Sequence, residues 1–250
     1  MERKTSTTVD SLFNGRLILR QPKDGYRFSL DAILLAGLTR AVPGGRVMDL
    51  GTGCGVVAII LAHRGQARQI VGVELQKELG DLAKWNVGEN GFENLVEIVS
   101  LDFRCVAAHY PAGSFDLIVA NPPYRRLRSG RMNPHGQKAQ ARHELTGSVQ
   151  DVFAAGRHLL PVGGRLAIIY PAGRLVHLLV SAVEHGFAPK QLTMIHTDSS
   201  GTGRLVHVEC RKGGGEELEV KPPFFVYDGK GSYTTGMQQL YHWEPAPCHC

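Results

Sequence analysis

Two apolar runs joined by a glycine-rich turn are the feature that most limits how this chain can fold. Residues 46–50 are typical of a buried strand, and residues 56–64 are typical of a buried helix. Between them, residues 49–55 read DLGTGCG. Glycine permits a tight turn and lets the backbone approach a ligand closely. The sequence therefore predicts a strand–turn–helix unit with a ligand site at its turn, and the candidate residues there are Asp49, Gly51, Gly53 and Gly55.

Short β-branched runs alternate with helical stretches from residue 45 onward, which indicates an α/β fold with a mostly parallel sheet and helices on both faces. The predicted strands are 46–50, 69–74, 95–100, 115–120, 165–170, 191–196 and 204–211. The predicted helices within this region are 56–64, 77–90, 151–160 and 175–185. The final strand is expected to run antiparallel to the others.

Segments of different composition flank this region on both sides. A basic stretch, residues 13–27, precedes a helix predicted at residues 29–38. Three consecutive glycines at 213–215 indicate a flexible joint, after which residues 216–241 predict a short strand and an extended tail. We therefore predict three parts: an N-terminal segment and helix packed on the core (1–40), the main domain (41–212) and a C-terminal extension and tail (213–250).

A polar tetrapeptide follows the apolar run 115–120 directly. An amino group on an sp2 carbon is a weak nucleophile because its lone pair is delocalised. Two hydrogen-bond acceptors, a side-chain amide oxygen and a proline carbonyl, can draw such an amine toward tetrahedral geometry, and prolines fix the backbone that presents them. A tyrosine ring would hold a planar substrate. The candidate catalytic residues are Asn121, Pro122, Pro123 and Tyr124.

Further acidic and aromatic residues predict an adenosine pocket beside the turn. Glu74 closes the second strand about 20 residues after the glycines, where a carboxylate can accept hydrogen bonds from a ribose diol. Asp102 could accept from an adenine amino group while Phe103 covers its ring. The G-x-G-x-G spacing suits a pyrophosphate less well, so S-adenosylmethionine is the expected cofactor. A plain turn and ordinary solvated acids are the alternatives.

With these motifs the chain resembles the class I S-adenosylmethionine-dependent methyltransferases that methylate amino groups, whose signature is Asn/Asp-Pro-Pro-Tyr/Phe after the fourth strand. Residues 24–31 (DGYRFSLD) further resemble the bacterial valine-tRNA adenine-N6 methyltransferases. The resemblance implies a Rossmann-like, seven-stranded methyltransferase sheet, S-adenosylmethionine as cofactor, and methyl transfer to the N6 of an adenine in RNA, with tRNA near the anticodon as the expected substrate.

The same resemblance implies roles for several further residues. Arg27 and Asp31 would line the methionine end of the cofactor, although Asp31 could equally cap its helix. Arg142 and Arg204 match arginines that are characteristic of the family.

Residues 117–143 contain no acidic side chain, and they surround the predicted active site. Cations on a loop beside a nucleobase pocket suit phosphate contacts, and a net charge of +5 agrees with a polyanionic partner. A solvated basic loop is the alternative. The candidate RNA-binding residues are Arg125, Arg126, Arg128, Arg131, Lys138 and Arg142.

Other features narrow the class of protein. No apolar run approaches the roughly 20 residues of a membrane helix, and the first eight residues lack the apolar core of a secretory signal, so we expect a cytoplasmic protein. The five cysteines form no paired C-x-x-C set, which agrees with a reducing compartment. Cys248, His249 and Cys250 make an incomplete metal site, and no metal is predicted.

Two other functions fit parts of the sequence. A protein glutamine N5-methyltransferase would present the same conjugated amine to the same tetrapeptide, but the basic loop and the short segment before the glycines count against it. A catalytically silent RNA- or adenosine-binding module is the other alternative, and the intact tetrapeptide at Asn121 counts against that one. Neither the sequence nor its charge specifies an oligomeric state.

Overall fold

The structure is a computed structural model, and it describes residues 6–23, 30–40, 42–65, 67–122 and 147–241. In chain order, the strands of these residues are β1 (Thr7–Leu12), β2 (Leu17–Pro22), β3 (Arg46–Leu50), β4 (Gln69–Glu74), β5 (Val96–Ser100), β6 (Leu117–Ala120), β7 (Arg165–Pro171), β8 (Phe187–His196), β9 (Gly203–Lys212), β10 (Glu219–Val220) and β11 (Phe224–Phe225). The α-helices of the same residues are α1 (Leu30–Leu38), α2 (Val56–His63), α3 (Lys77–Glu89), α4 (Val149–Leu159), α5 (Leu175–Glu184) and α6 (Thr235–Tyr241).

Nine of these strands form one sheet, in the order β10-β8-β9-β7-β6-β3-β4-β5, with β11 also paired to β8. Only β9 runs antiparallel to its neighbours, β7 and β8. The seven long strands match the seven predicted ones, and the predicted antiparallel strand is β9. The prediction omitted β10 and β11, two-residue strands that extend the sheet beyond β8.

The core forms two layers because successive strand residues point to opposite faces of the sheet. In β6, Leu117 and Val119 belong to one apolar cluster, with α1, α2 and α3, whereas Ile118 and Ala120 belong to a second, with α4 and α5. Residues from all three predicted parts of the chain share the first cluster, as Phe13 and Met237 illustrate. None of the helices in the described ranges combines the length and apolarity needed to cross a membrane.

The chain order creates one point where the sheet grows in opposite directions. β4 pairs with one side of β3, and the chain continues outward to β5 before it returns to place β6 on the other side of β3. All four strands are parallel, so their carboxyl ends meet at one edge of the sheet. In such folds, ligands bind in the crevice outside the carboxyl ends at this switch point.

Residues 7–22 form a hairpin where the sequence had suggested only a basic segment. Its turn places Phe13, Asn14 and Gly15 at positive φ (52°, 56° and 84°), and Phe13 is almost fully buried with its ring 5.1 Å from that of His63. The Asn14-Gly15 pair between two apolar runs is a strong hairpin signal that the sequence prediction did not use. The tail prediction likewise missed α6, whose Met237 is fully buried.

Candidate functional site

The turn after β3 is held by backbone hydrogen bonds and by glycine conformations. Gly51, Gly53 and Gly55 all have positive φ, at 73°, 60° and 82°. The N–H groups of Gly51 and Thr52 both donate to the carbonyl of Val73, at 2.9 Å each. A Cβ at Gly55 would lie 3.2 Å from that of Ala83, so the first residue before α2 must be small. Among the described residues, no atom lies within 4 Å of a Cβ placed at Gly51, so these residues leave open space beside the turn.

Glu74 joins this turn to the end of β4. One carboxylate oxygen accepts from the N–H of Gly53 at 2.9 Å, and the other accepts from the N–H of Gln76 at 2.8 Å. Burial raises the pKa of Glu74, and the backbone donors act in the opposite direction. Each oxygen can accept more than one hydrogen bond, so the carboxylate keeps capacity for a ligand's hydroxyl groups.

Asp49 lies inside the turn, only 2% exposed. The Thr52 hydroxyl donates to its carboxylate at 2.6 Å, and the Ala58 N–H in the first turn of α2 donates as well. Burial raises the pKa of Asp49 to about 7. Gly55, which precedes α2, has no side chain to cap the helix. The Asp49 side chain therefore caps the N-terminus of α2. A direct contact between Asp49 and the cofactor stays a prediction.

The residues after β5 have partners that the sequence did not suggest. The Asp102 carboxylate accepts from the backbone N–H of Arg104 at 2.9 Å and pairs with its guanidinium at 2.6 Å. The side-chain hydrogen bond from Arg104 lowers the pKa of Asp102 most, and the backbone bond lowers it further. Phe103 is 7% exposed, and a Cβ at Gly147 would lie 2.3 Å from its ring. Both residues lie at the carboxyl edge, and their adenine contacts stay predictions.

Asn121 and Pro122 follow β6 at the switch point. Ala120 pairs with Leu50, so Asn121 and Gly51 leave the sheet side by side. Asn121 is half-buried and Pro122 is buried. Asp31 is half-buried in the first turn of α1, and Arg204 is exposed near the start of β9. The remaining predicted site residues lie outside the described residues: Arg27, Pro123, Tyr124, Arg125, Arg126, Arg128, Arg131, Lys138 and Arg142.

Two residues that support the turn were missed by the sequence prediction. Thr52 bonds Asp49 as described above, and the fully buried Asn86 on α3 donates to the carbonyl of Cys54 at 2.9 Å. A hydroxyl residue within a glycine turn was a usable signal for Thr52. No local pattern marks Asn86, because its contact depends on how α3 packs against the turn.

The residues at the switch point fit S-adenosylmethionine. The buried Glu74 carboxylate bonds the turn and can accept further hydrogen bonds, as binding of a ribose diol requires. The open space at Gly51 gives a ligand access to the backbone. Within the described residues, no group of three or more histidine, cysteine, aspartate or glutamate side chains could hold a metal ion.

Comparisons with known proteins agree with this geometry. The family model described as "Methyltransferase small domain" matches residues 30–179. A protein of Porphyromonas gingivalis named tRNA1(Val) (adenine(37)-N6)-methyltransferase is 31% identical over 188 residues, 73% of each chain. A protein of the same name from Bacteroides thetaiotaomicron is 30% identical over 182 residues, covering 72% of this chain and 74% of its own.

Solved structures agree on the fold. A predicted O-methyltransferase from Agrobacterium tumefaciens superposes with a TM-score of 0.70 at 21% identity, covering 86% of this chain and 97% of its own. The TYW2 protein of M. jannaschii, crystallised with AdoMet, superposes with a TM-score of 0.55 at 15% identity, covering 85% and 89%. The neighbours share the mixed α/β architecture, with its central, mostly parallel sheet.

Proposed function

Since the chain belongs to the methyltransferase small domain family, together with the bacterial tRNA1(Val) (adenine(37)-N6)-methyltransferases, we propose that it methylates the N6 of an adenine in the anticodon loop of a tRNA, with S-adenosylmethionine as methyl donor. One observation carries the proposal. Asn121 leaves the sheet beside the glycine turn at the switch point, which supports an arrangement in which the hydrogen-bond acceptor for the substrate amine lies next to the cofactor.

On the cofactor side, the chain's residues bind and orient. Glu74 would accept from the ribose hydroxyls while it keeps the Gly53 N–H, and the open face of Gly51 would admit the ligand. Bound S-adenosylmethionine supplies a methyl group on a positively charged sulfur, which is already a good leaving group. The protein therefore needs little acid or base assistance, and its main contribution is to hold the two reacting atoms about 3 to 3.5 Å apart.

On the substrate side, Asn121 and Pro122 prepare the amine. The Asn121 side-chain oxygen and the Pro122 carbonyl would each accept one N–H of the adenine amino group, which localises the nitrogen lone pair. That lone pair would attack the methyl group that bound S-adenosylmethionine supplies, with the sulfur as leaving group. The methylated nitrogen then loses one proton to water. A neutral side chain suits this position, because a carboxylate would stabilise the sulfonium before reaction.

The substrate must present its adenine outside a stacked helix. A base in a tRNA loop can be turned into the pocket at lower cost than one in a duplex, and stacking on an aromatic ring such as Tyr124 would hold it there. The basic residues between 125 and 142 would contact the phosphates on either side of the target. These contacts would position the RNA, whereas the pocket would select the base.

One labelling experiment tests the proposal. The protein is incubated with methyl-labelled S-adenosylmethionine and total extract of cells that lack it, and the labelled product is treated separately with ribonuclease, deoxyribonuclease or protease. We expect ribonuclease alone to release the label, and mass spectrometry of the digested nucleosides to identify N6-methyladenosine from tRNA. Label released by protease instead would identify a protein amide as the substrate and reject the proposal.

A further inference from the structure

Asn86 of α3 and Asn90, the residue that follows the last residue of α3, hold the backbone of β2. The side-chain oxygen of Asn86 accepts from the N–H of Arg20 at 2.6 Å, and its nitrogen donates to the carbonyl of Arg20 at 2.9 Å. Asn90, one helical turn later, makes the same pair of contacts to Ile18, at 2.9 and 2.8 Å. Each amide therefore bonds both backbone groups of one residue, as a neighbouring strand would.

The spacing of the two asparagines matches the strand. Four residues of helix rise about 6 Å, and two residues of strand advance about 6.7 Å. Alternate residues of an antiparallel ladder direct their N–H and C=O groups to opposite sides, so Ile18 and Arg20 offer these groups away from β1. The Arg20 guanidinium also lies 3.8 Å from the ring centroid of Trp85 on the same helix. The edge of β2 that does not pair with β1 therefore packs on α3.

Of the two asparagines, Asn86 also bonds the glycine turn after β3. The second hydrogen of the Asn86 amide donates to the Cys54 carbonyl at 2.9 Å, whereas that of Asn90 donates back to the carbonyl of Asn86 in α3. Asn86 is fully buried, and both of its donors and its acceptor are used. The turn is therefore held on one side by Glu74, through Gly53, and on the other by Asn86, through Cys54.

We propose that Asn86 is a positioning residue of the cofactor site and that it couples docking of the β1–β2 hairpin to binding of S-adenosylmethionine. Docking of Arg20 fixes the Asn86 amide, and the fixed amide holds the turn in its ligand-binding conformation. Coupling between two sites is reciprocal, so a ligand that requires this conformation also strengthens docking of the hairpin. The inference rests on the proposed function only for the identity of the ligand.

Calorimetry with matched variants tests the positioning role. Asn86→Ala removes the contacts to both the hairpin and the turn, whereas Asn90→Ala removes the contacts to the hairpin and the bond to the Asn86 carbonyl but no contact to the turn. We expect Asn86→Ala to weaken binding of S-adenosylmethionine about tenfold or more, from the loss of several buried hydrogen bonds, and Asn90→Ala to leave it within about twofold. In turnover, Asn86→Ala should raise KM for S-adenosylmethionine and leave KM for tRNA unchanged. Circular dichroism confirms that both variants are folded at the measuring temperature.

Hydrogen exchange tests the coupling. Saturating S-adenosylhomocysteine should slow exchange of the Ile18 and Arg20 amides in the unaltered protein and should not do so in Asn86→Ala. Equal weakening of cofactor affinity by the two variants, unchanged affinity in Asn86→Ala, or hairpin exchange that ignores the ligand in the unaltered protein would each overturn the inference. If the unaltered protein fails to bind S-adenosylmethionine at all, the proposed function itself is wrong, so the two failures are distinguishable.

Discussion

At the scale of single residues, Asn121 is the group on which methyl transfer is expected to depend most. It lies beside the turn, and within the described part of the chain the hydrogen bonds that hold the turn come from other residues. Asn121→Ala should therefore lower kcat by roughly 10²- to 10³-fold, the effect typical of removing one well-placed polar group from an active site. Single-turnover kinetics measure this loss, and calorimetry should show S-adenosylmethionine affinity within about twofold of the unaltered protein. Near-normal turnover would remove Asn121 from the mechanism.

Asp49 gives a second residue-scale prediction, on stability and pH. Burial raises its pKa from 3.8 to about 7 in the folded state. Between these values the folded protein holds a proton that the unfolded chain has lost, so stability falls as pH rises from about 4 to 7 and levels off above. Asp49→Asn stays neutral and keeps an acceptor for Thr52. In urea unfolding at pH 5 to 8, the unaltered protein should lose up to about 1.4 kcal/mol per pH unit relative to the variant. A pH-independent difference would contradict the assignment.

Single residues differ in how far the sequence reveals them. Glu74 was predictable because its distance from the glycines is set by one strand–helix–strand unit, and the structure places it on the turn. Asn86 was not, because its partners Arg20 and Cys54 lie 66 and 32 residues away. Asp102 shows a different limit: its position after β5 was predicted, but its bond to the nearby Arg104 depends on side-chain conformations that sequence spacing does not determine.

At the scale of elements, Gly147 directly precedes Ser148, the N-cap residue of α4. It has φ +77° and leaves no room for a side chain above Phe103. Gly91, with φ +69° and nothing within 4 Å of a Cβ, is a matched control for backbone strain alone. Gly91→Ala should cost about 1–2 kcal/mol, and Gly147→Ala should cost about 1–3 kcal/mol more because the ring must move. Denaturant unfolding measures the loss of stability in both variants. Equal losses would show that the Phe103 ring can move aside without an energetic cost.

Elements with a long periodic pattern were predictable, and those defined by tertiary contact were not. The helix predicted at 77–90 is α3, Lys77–Glu89, because its apolar positions repeat on one face. The helix predicted at 151–160 begins earlier, at Val149, because Ser148 and Asp151 form a capping box that was overlooked. Helix α6 has only seven residues, too few to be stable alone, and it forms because Met237 packs into the first apolar cluster.

At the scale of the whole molecule, the two edges of the sheet differ in which residues they carry. The carboxyl edge carries the glycine turn, Glu74 and Asn121, whereas the amino edge carries the first residues of the parallel strands. Exposed arginines also lie at the amino edge: Arg68 just before β4, Arg157 in the last turn of α4, and Arg211 near the end of the antiparallel β9. Positive charge alone therefore does not identify the RNA-binding side, although the net charge of +5 suits RNA overall.

This separation allows a matched test of which edge binds RNA. Replacing Arg125, Arg126 and Arg128 by glutamine removes three charges that follow Asn121 closely in the sequence, and replacing Arg68, Arg157 and Arg211 removes three from the amino edge. Each phosphate contact contributes about −0.7 to −0.9 to the slope of log K against log salt, so the first triple variant should weaken tRNA binding and reduce the slope by roughly 2. The second should leave the slope nearly unchanged, because its arginines lie at the edge of the sheet opposite Asn121. Fluorescence anisotropy with labelled tRNA at several salt concentrations measures both slopes. Equal slopes in the two variants would mean that Arg125, Arg126 and Arg128 make no specific phosphate contacts, and that RNA is held by the overall positive charge of the protein.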